Sequence, residues 1–317
     1  MKNIIKFCIT AVFLCGMSAC NDDAVFEKEQ YKKVVALVSN EDYNVFPVVH
    51  NLTGEETEGY ITASLGGSNP STMEVTLSLV QDNSLVDVYN IGNFDVSKEK
   101  YAQVLPSDRF RIESYQLVIP AGQRSGRLSV WIQPEGLSPD TVYFIPLRVN
   151  TFVGYEINPD KADVLYKVFY KNYYASTATA TTYTMLAKYS KNREAFVDIP
   201  GLVTVHPLTR NKIRLFAGDI SFSADAQKID DSAITAEVQD DNSVKISSYK
   251  NLDVVQLDGD PDFPNTYSFY NDGFKIFKQF LLHYRYTVGL NTYEWKQELR
   301  MELSPEELLE YNNTHKN

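Results

Sequence analysis

Cysteine is missing from nearly all of this chain: Cys8, Cys15 and Cys20 are the only three in 317 residues. Everything after Cys20 therefore lacks a disulfide framework, a thiol nucleophile and any Cys-based metal site. Histidine is almost as scarce. His50, His206, His283 and His315 are the only four, and none lies at metal-ligand spacing from another. His283 falls on a strand face with Leu281 and Arg285, opposite Phe280, Leu282, Tyr284 and Tyr286. That position predicts a satisfied surface histidine rather than a ligand. There is no Gly-x-Ser-x-Gly elbow and no phosphate-binding loop. Positive charge is also short, with 30 Lys and Arg against 41 Asp and Glu and a formal net charge of −11. With no basic cluster to relieve it, such a surface repels nucleic acid.

Long apolar runs are missing too. The uncharged run Phe7 to Gly16 falls well short of the roughly 20 apolar residues a membrane-spanning helix needs. It has instead the length of a signal-peptide core, preceded by Lys2 and Lys6. The small residues Ser18 and Ala19 then lead straight into Cys20. Met17-Ser18-Ala19-Cys20 resembles a bacterial lipobox, and the resemblance implies cleavage before Cys20 and acylation of its sulfur. The competing reading is an ordinary secretory signal with an incidental cysteine. Asn21-Asp22-Asp23 resembles the short acidic export signal of Bacteroidetes surface lipoproteins, which implies an outer-membrane anchor facing the cell exterior. One acyl chain holds a protein to a membrane only marginally, whereas two or more hold it stably. Loss of residues 1–19 removes two lysines and no acid, taking the formal charge from −11 to −13.

The rest reads as β structure. Tyr and Phe are abundant, at 21 and 17 copies, and aromatic and β-branched residues favour strands. Residues 20–30 read as a polar tether, which the lipobox resemblance implies is lipidated at Cys20. Strands are predicted over 33–38, 59–65, 73–80, 114–119, 126–132, 142–149 and 162–170, each bounded by Gly, Pro or Asn turn signals. A short helix is predicted over 97–105, stopped by Pro106. Seven or so short strands at this spacing indicate an immunoglobulin-like sandwich over 31–170. The Ala/Thr-rich stretch 172–182 then marks a boundary near 171, and reads either as a linker or as the start of a strand. Residues 171–317 are again strand-rich, over 197–205, 212–216, 234–239, 243–248 and 253–257. A long closing hairpin, 274–288 with 292–303, turns across Gly289-Leu290-Asn291. Ser304-Pro305-Glu306-Glu307 is a capping box with proline at the first helical position, so a short C-terminal helix follows. The fold class is all-β: an Ig-like sandwich, then a second antiparallel domain that fits a barrel or a sandwich equally.

Three segments carry a family resemblance: Phe110 to Gly122 with its Ile119-Pro120-Ala121-Gly122 turn, Gly126 to Val130, and Tyr143 to Val149. They resemble the N-terminal domain of Bacteroidetes polysaccharide-utilisation surface lipoproteins. The second half, around His206-Pro207-Leu208 and the 293–303 strand, is similar to the barrel-like domain that often follows it. The resemblance implies glycan capture at the outer membrane, beside a TonB-dependent transporter and its partner lipoprotein. It implies neither catalytic residues nor a cofactor. Two rival readings stay open: an accessory subunit of the transporter complex with no sugar affinity of its own, and a glycoside hydrolase. The second requires two carboxylates held across a sugar, and no motif marks such a pair. Residues 171–317 are also too few for a catalytic TIM barrel of about 250 residues.

Candidate glycan contacts are aromatic. Trp131 falls on the polar face of its strand with Ser129 and Gln133, while Leu128, Val130 and Ile132 form the buried face. It can stack on a pyranose or pack against the second domain. Trp295 falls on an apolar face and reads as core. Tyr173, Tyr174, Tyr267 and Tyr270 lie near predicted loops and are further platform candidates. Asp258, Asp260 and Asp262, around Gly259, are the oxygen-rich cluster a calcium ion would favour. Their spacing does not fit an EF-hand loop and Pro261 restricts the backbone, so an acidic turn between strands is the favoured reading.

Overall fold

A computed structural model describes residues 32–40 and 42–314. The signal segment, Cys20, the Asn21-Asp22-Asp23 stretch and His315 lie outside the described residues.

The N-terminal part contains β1 (Val34–Leu37), β2 (Val45–Asn51), β3 (Thr57–Leu65), β4 (Val75–Gln81), helix α1 (Ser84–Phe94) and β5 (Gln103–Val104). It continues with β6 (Phe110–Arg111), β7 (Gln116–Ile119), β8 (Ser125–Ile132), β9 (Tyr143–Val153), β10 (Glu156–Ile157) and β11 (Asp163–Lys171). These strands form two sheets, ordered β10-β1-β3-β8-β6 and β2-β11-β9-β4-β7, with β5 also paired to β9. Alternation decides what each strand buries. Val75, Leu77 and Leu79 of β4 point inward to meet Ile61, Ala63, Leu128, Val130 and Ile132 of the facing sheet in one core. The result is the Ig-like sandwich. The Ile119-Pro120-Ala121-Gly122 turn carries the chain from β7 in one sheet to β8 in the other. Gly122 takes φ +82° there, and the Gln123 amide donates to the Pro120 carbonyl at 3.0 Å.

Two expectations need correction. The helix predicted over 97–105 is not there. Lys98–Lys100 forms a single 3-10 turn and Gln103–Val104 is a strand, while the helix lies earlier, at Ser84–Phe94. The buried Asn90 of α1 explains the shift. Its side chain donates to the Ala102 carbonyl at 2.9 Å and accepts from the Ala102 amide at 2.8 Å, clamping that segment in an extended form. Strand β2 was not anticipated because Pro47 interrupts it. It runs parallel to β11 at the sheet edge, where a proline is tolerated.

The second part holds β12 (Thr181–Lys191), β13 (Val197–Thr209), β14 (Lys212–Phe216), helix α2 (Ala226–Ser232), β15 (Ala233–Val238) and β16 (Val244–Ser248). It ends with β17 (Asp253–Gln256), β18 (Thr266–Asn271), β19 (Ile276–Val288), β20 (Asn291–Glu302) and helix α3 (Pro305–Thr314). All nine strands belong to one sheet, ordered β16-β15-β14-β13-β12-β20-β19-β17, with β18 also on β19. Its ends approach each other. Ser243 bridges Thr266, and the Val244 amide donates to the Asn265 carbonyl at 2.7 Å. Of the two open alternatives, the second domain is the barrel, nearly closed. Its interior takes Tyr183, Met185, Phe280, Leu282, Tyr284, Trp295 and Leu299. Gln297 is wholly buried among them, and its polar atoms are used: Tyr284 Oη donates to Oε1 at 2.6 Å and Nε2 donates to the Gly218 carbonyl at 2.9 Å. The capping box forms as read. The Ser304 amide donates to Glu307 Oε2 at 2.9 Å, and the Glu307 amide to Ser304 Oγ at 3.3 Å.

One side chain fastens the passage from β11 to the barrel. Asn172 donates to the Thr209 and Lys212 carbonyls at 2.8 and 3.0 Å, and accepts from the Tyr174 and Ala175 amides at 2.9 Å each. Nearby, Arg214 of β14, 1% exposed, makes a two-pronged pair with Asp140 of the sandwich at 2.5 and 2.7 Å.

Candidate binding cleft

The passage through Asn172 also shapes a cleft of about 850 Å³. Lys171 to Tyr174 form its floor. Asn51 and Thr53 line it from the sandwich, and Arg210 and Asn211 from the β13–β14 turn. Gln239, Asp240 and Asn242 come from the β15–β16 turn, and Glu306, Glu307 and Glu310 from α3. A second depression of about 430 Å³ shares Asn172, Tyr173 and Tyr174 and extends over Thr179 to Thr182, Lys278 and Met301. Tyr173 stands between the two.

Tyr173 is held by a buried cation. Lys278, 1% exposed on β19, hydrogen-bonds the Tyr173 carbonyl, and its Nζ lies 4.2 Å from the Tyr173 ring centre. The same Nζ donates to Glu307 Oε1 at 2.5 Å, tying α3 to the barrel. Burial pulls the Lys278 amine below its ordinary value, and Glu307 partly offsets that. Burial also opposes the Glu307 charge. The bonds from Lys278 and the Ser304 amide outweigh it and hold the carboxyl below the usual range. Burial first, then Glu307 and Glu310, pushes the Tyr173 phenol up to about 12. Its hydroxyl therefore stays protonated at neutral pH, available as a donor, while 38% of the residue remains exposed. Tyr174 packs edge-on against Tyr173, Tyr267 and Phe280 at 5.6, 5.0 and 5.6 Å, so the aromatic floor continues into the barrel core.

Of the aromatic candidates, only Tyr173 and Tyr174 come together at this cleft. Tyr267 is 6% exposed and belongs to the barrel core, so it offers no face to a sugar. Tyr270, half-buried on β18, has the Arg300 guanidinium 3.6 Å over its ring, away from the cleft. Trp131 lies on the outer face of β8, opposite Glu58 of β3 and Arg111 of β6. Arg111 sits 5.3 Å over its ring, so one face of the indole is already covered. Trp295 is core, at 2% exposed.

The aspartates near Gly259 do not converge. Asp258 accepts from the Gln256 and Asn265 side chains at 2.7 and 3.0 Å. Asp260 pairs with Lys296 at 2.5 Å and accepts from the Asp262 and Phe263 amides, closing a turn. The Lys296 hydrogen bond, chiefly, holds the Asp260 carboxyl below its usual range. No group of three His, Cys, Asp or Glu among the described residues could hold a metal ion. His283 corrects another expectation. It is on the outer face as read, yet only 8% exposed, because the segment after β17 crosses it and Asn265 accepts its backbone amide at 2.7 Å. Its Nε2 meets Glu294 Oε1 at 2.9 Å.

The polar wall of the cleft was not anticipated. Residues 209–211 and 239–242 are about thirty positions apart, and meet because β13 to β16 form a meander whose alternate turns emerge at one barrel end. Their only local signal is ordinary turn chemistry, with Asn and Asp at bends.

The fold and cleft place the chain in a class of two-domain β proteins, a sandwich followed by a barrel. Family models define both parts: a model of an N-terminal domain matches residues 28–156, and a model of a C-terminal domain matches residues 162–300. Solved structures share the whole arrangement. A structural-genomics protein of unknown function from Bacteroides ovatus superposes with a TM-score of 0.66 at 16% identity, covering 85% of this chain and 94% of that one. A multidomain protein including DUF1735, also from B. ovatus, gives 0.62 at 15%, with 86% and 95% covered. An auxiliary nutrient binding protein from Bacteroides thetaiotaomicron gives 0.54 at 16%, with 84% and 94% covered. At these identities the likeness is one of fold. No curated protein matches the sequence.

Proposed function

We propose that this chain is a non-catalytic glycan-binding protein of a Bacteroidetes carbohydrate-uptake system, and that it binds sugar in the cleft floored by Tyr173. The cleft carries the proposal. It sets a part-exposed tyrosine, fixed by a buried lysine, among amide, guanidinium and carboxylate side chains. A saccharide has apolar ring faces and a rim of hydroxyls, and such a surface answers both. The shared fold of the auxiliary nutrient binding protein is consistent with this reading. Membrane attachment through Cys20, export to the cell surface guided by Asn21-Asp22-Asp23, and a place beside a TonB-dependent transporter and its partner lipoprotein belong to the same proposal. They rest on the sequence resemblance.

The test is a glycan array on the purified protein, then calorimetric titration with the best hit. Tyr173→Ala should weaken binding about 5- to 150-fold, the scale of one lost stacking contact of about 1 to 3 kcal/mol. If no array glycan binds, the accessory-subunit reading replaces this one. Release of reducing ends from a bound glycan would establish a hydrolase instead.

A further inference from the structure

A second concave site lies toward the opposite end of the barrel. Lys278 and Arg285 are seven residues apart on β19, about 23 Å at roughly 3.3 Å per residue, and Arg285 lines a pocket of about 410 Å³. Arg193, Ser190, Asn192, Thr287, Thr292 and Glu294 complete that pocket. Strand alternation explains the set. Tyr284 and Tyr286 of β19 and Trp295 of β20 turn inward, so Arg285, Thr287, Thr292 and Glu294 turn outward, with Arg285 opposite Glu294 and Thr287 opposite Thr292.

Two features mark the pocket as more than a charged surface. First, its two guanidiniums have no ion-pair partner among the described residues, although acids outnumber bases in this chain. The carboxylate in the pocket lining, Glu294, is engaged by His283 at 2.9 Å. Second, Arg193 occupies a position that favours glycine. The Glu194 amide donates to the Lys191 carbonyl at 2.9 Å, closing a turn with Asn192 at φ +49° and Arg193 at φ +68°. A turn with two left-handed central residues prefers Asn then Gly, and an arginine there is strained. The turn is also locked to the β19–β20 hairpin. Asn192 donates to Asn291 Oδ1 at 3.0 Å and accepts from the Thr292 amide at 2.8 Å. A rigid bend thus holds a strained arginine beside a second unpaired arginine and the hydroxyls of Thr287 and Thr292.

We infer that this pocket binds the anionic substituent of an acidic saccharide, the carboxylate of a uronic acid or a sulfate ester. Guanidinium forks match such oxyanions bidentately, and Thr287 and Thr292 supply hydroxyl donors around them. The Ser190 hydroxyl is spent inside the turn, donating to the Glu194 carbonyl at 2.6 Å. The inference rests on the glycan-binding reading and names the substrate class.

The test titrates the protein with an oligogalacturonate, a sulfated oligosaccharide and a neutral glucan oligomer of equal length. At least one acidic ligand should bind, with affinity falling as salt rises. The Arg193→Gln/Arg285→Gln double variant should weaken that ligand at least tenfold and leave neutral-ligand binding unchanged. The carboxylate and sulfate arms identify the group. Arg193→Gly should lower acidic-ligand affinity while raising the melting temperature by about 2 °C as strain is released, a separation that a merely structural arginine would not give. Acidic ligands bound equally well by wild type and double variant, or neutral binding without acidic binding, would overturn this inference alone. Binding of neither kind would overturn the glycan reading with it.

Discussion

Trp131 and Trp295 are the chain's only tryptophans and sit in opposite environments. Trp295 stacks on Tyr189 at 5.1 Å inside the barrel, so Trp295→Ala should cost about 3 to 5 kcal/mol. Trp131 is half-buried outside, under Arg111, and an exposed cation–π contact is worth about 0.5 to 1 kcal/mol. Trp131→Ala should therefore shift the melting temperature by only a few degrees and leave binding at the Tyr173 cleft unchanged. A loss of affinity as large as that of Tyr173→Ala would move the site to the sandwich face. Histidine gives a residue-scale pH dependence. His50 is 1% exposed, with Nδ1 2.9 Å from Thr57 Oγ1 and Nε2 2.8 Å from the Tyr166 hydroxyl. Burial lowers its pKa to about 4, against about 6.5 when unfolded. The unfolded chain takes up the proton first on acidification. The stability that neutral His50 contributes is complete above pH 6.5 and is lost as pH falls towards 4, by about 3 kcal/mol in all. His206, lowered by burial to about 4 as well, adds a loss of the same sign. Denaturant midpoints at pH 7.5 and 4.5 measure this, and His50→Gln should flatten the difference. A wild type equally stable at both values would refute it.

Among elements, the long alternating strands were the most legible. β19 and β20 carry a long two-residue period, broken at Lys278, Leu281 and Gln297, and their turn at Gly289 was read with them. Helices α1 and α2 fared worse for local reasons, whereas α3 was announced by its capping box. In α1, Val86, Val88 and Ile91 suit a strand as well as a helix, and Asn83 makes no side-chain capping bond, so nothing local marks the start. α2 has a true cap, with Asp225 Oδ1 accepting from the Lys228 amide at 2.7 Å, but only seven residues, too few for helical periodicity to declare itself. The loop after β14 hides a further requirement. Gly218 has φ +62°, and a Cβ there would lie 2.5 Å from Trp295 Cε2. Its amide accepts no substitute geometry either, since it donates to Tyr284 Oη at 2.7 Å while its carbonyl receives Gln297. Gly218→Ala combines a left-handed alanine with an overfilled core, and should cost about 2 to 4 kcal/mol in equilibrium unfolding. A change below about 1 kcal/mol would mean that this loop repacks freely.

At the scale of the whole molecule, the question is whether sandwich and barrel move independently. The 172–182 stretch has the composition of a linker, and the sequence left open whether it is one. The cleft was illegible for a related reason, since its walls come from four separate segments that only the folded chain brings together. In the structure the stretch is tied at both ends. Asn172 uses both amide hydrogens and accepts twice through its oxygen, Thr177 Oγ1 bonds the Tyr170 amide at 2.8 Å and its carbonyl at 3.1 Å, and β12 begins at Thr181. The Arg214–Asp140 pair adds a buried clamp at 2.5 Å. Its net worth when intact is small, because desolvation offsets attraction. Breaking it from one side leaves a buried charge alone and costs about 3 to 5 kcal/mol. The wild type should accordingly resist proteolysis between 171 and 182 and unfold in a single transition. Asp140→Asn should lower stability by roughly that cost, and Asn172→Ala should expose the stretch to cleavage. If Asp140→Asn instead splits unfolding into two transitions, the clamp is what couples the domains. The Tyr173 cleft, which has walls from both, should then lose glycan affinity in step. Cleavage of the wild type within 171–182, with sandwich and barrel surviving as separate fragments, would show that the hydrogen bonds of Asn172 do not restrain the chain in solution.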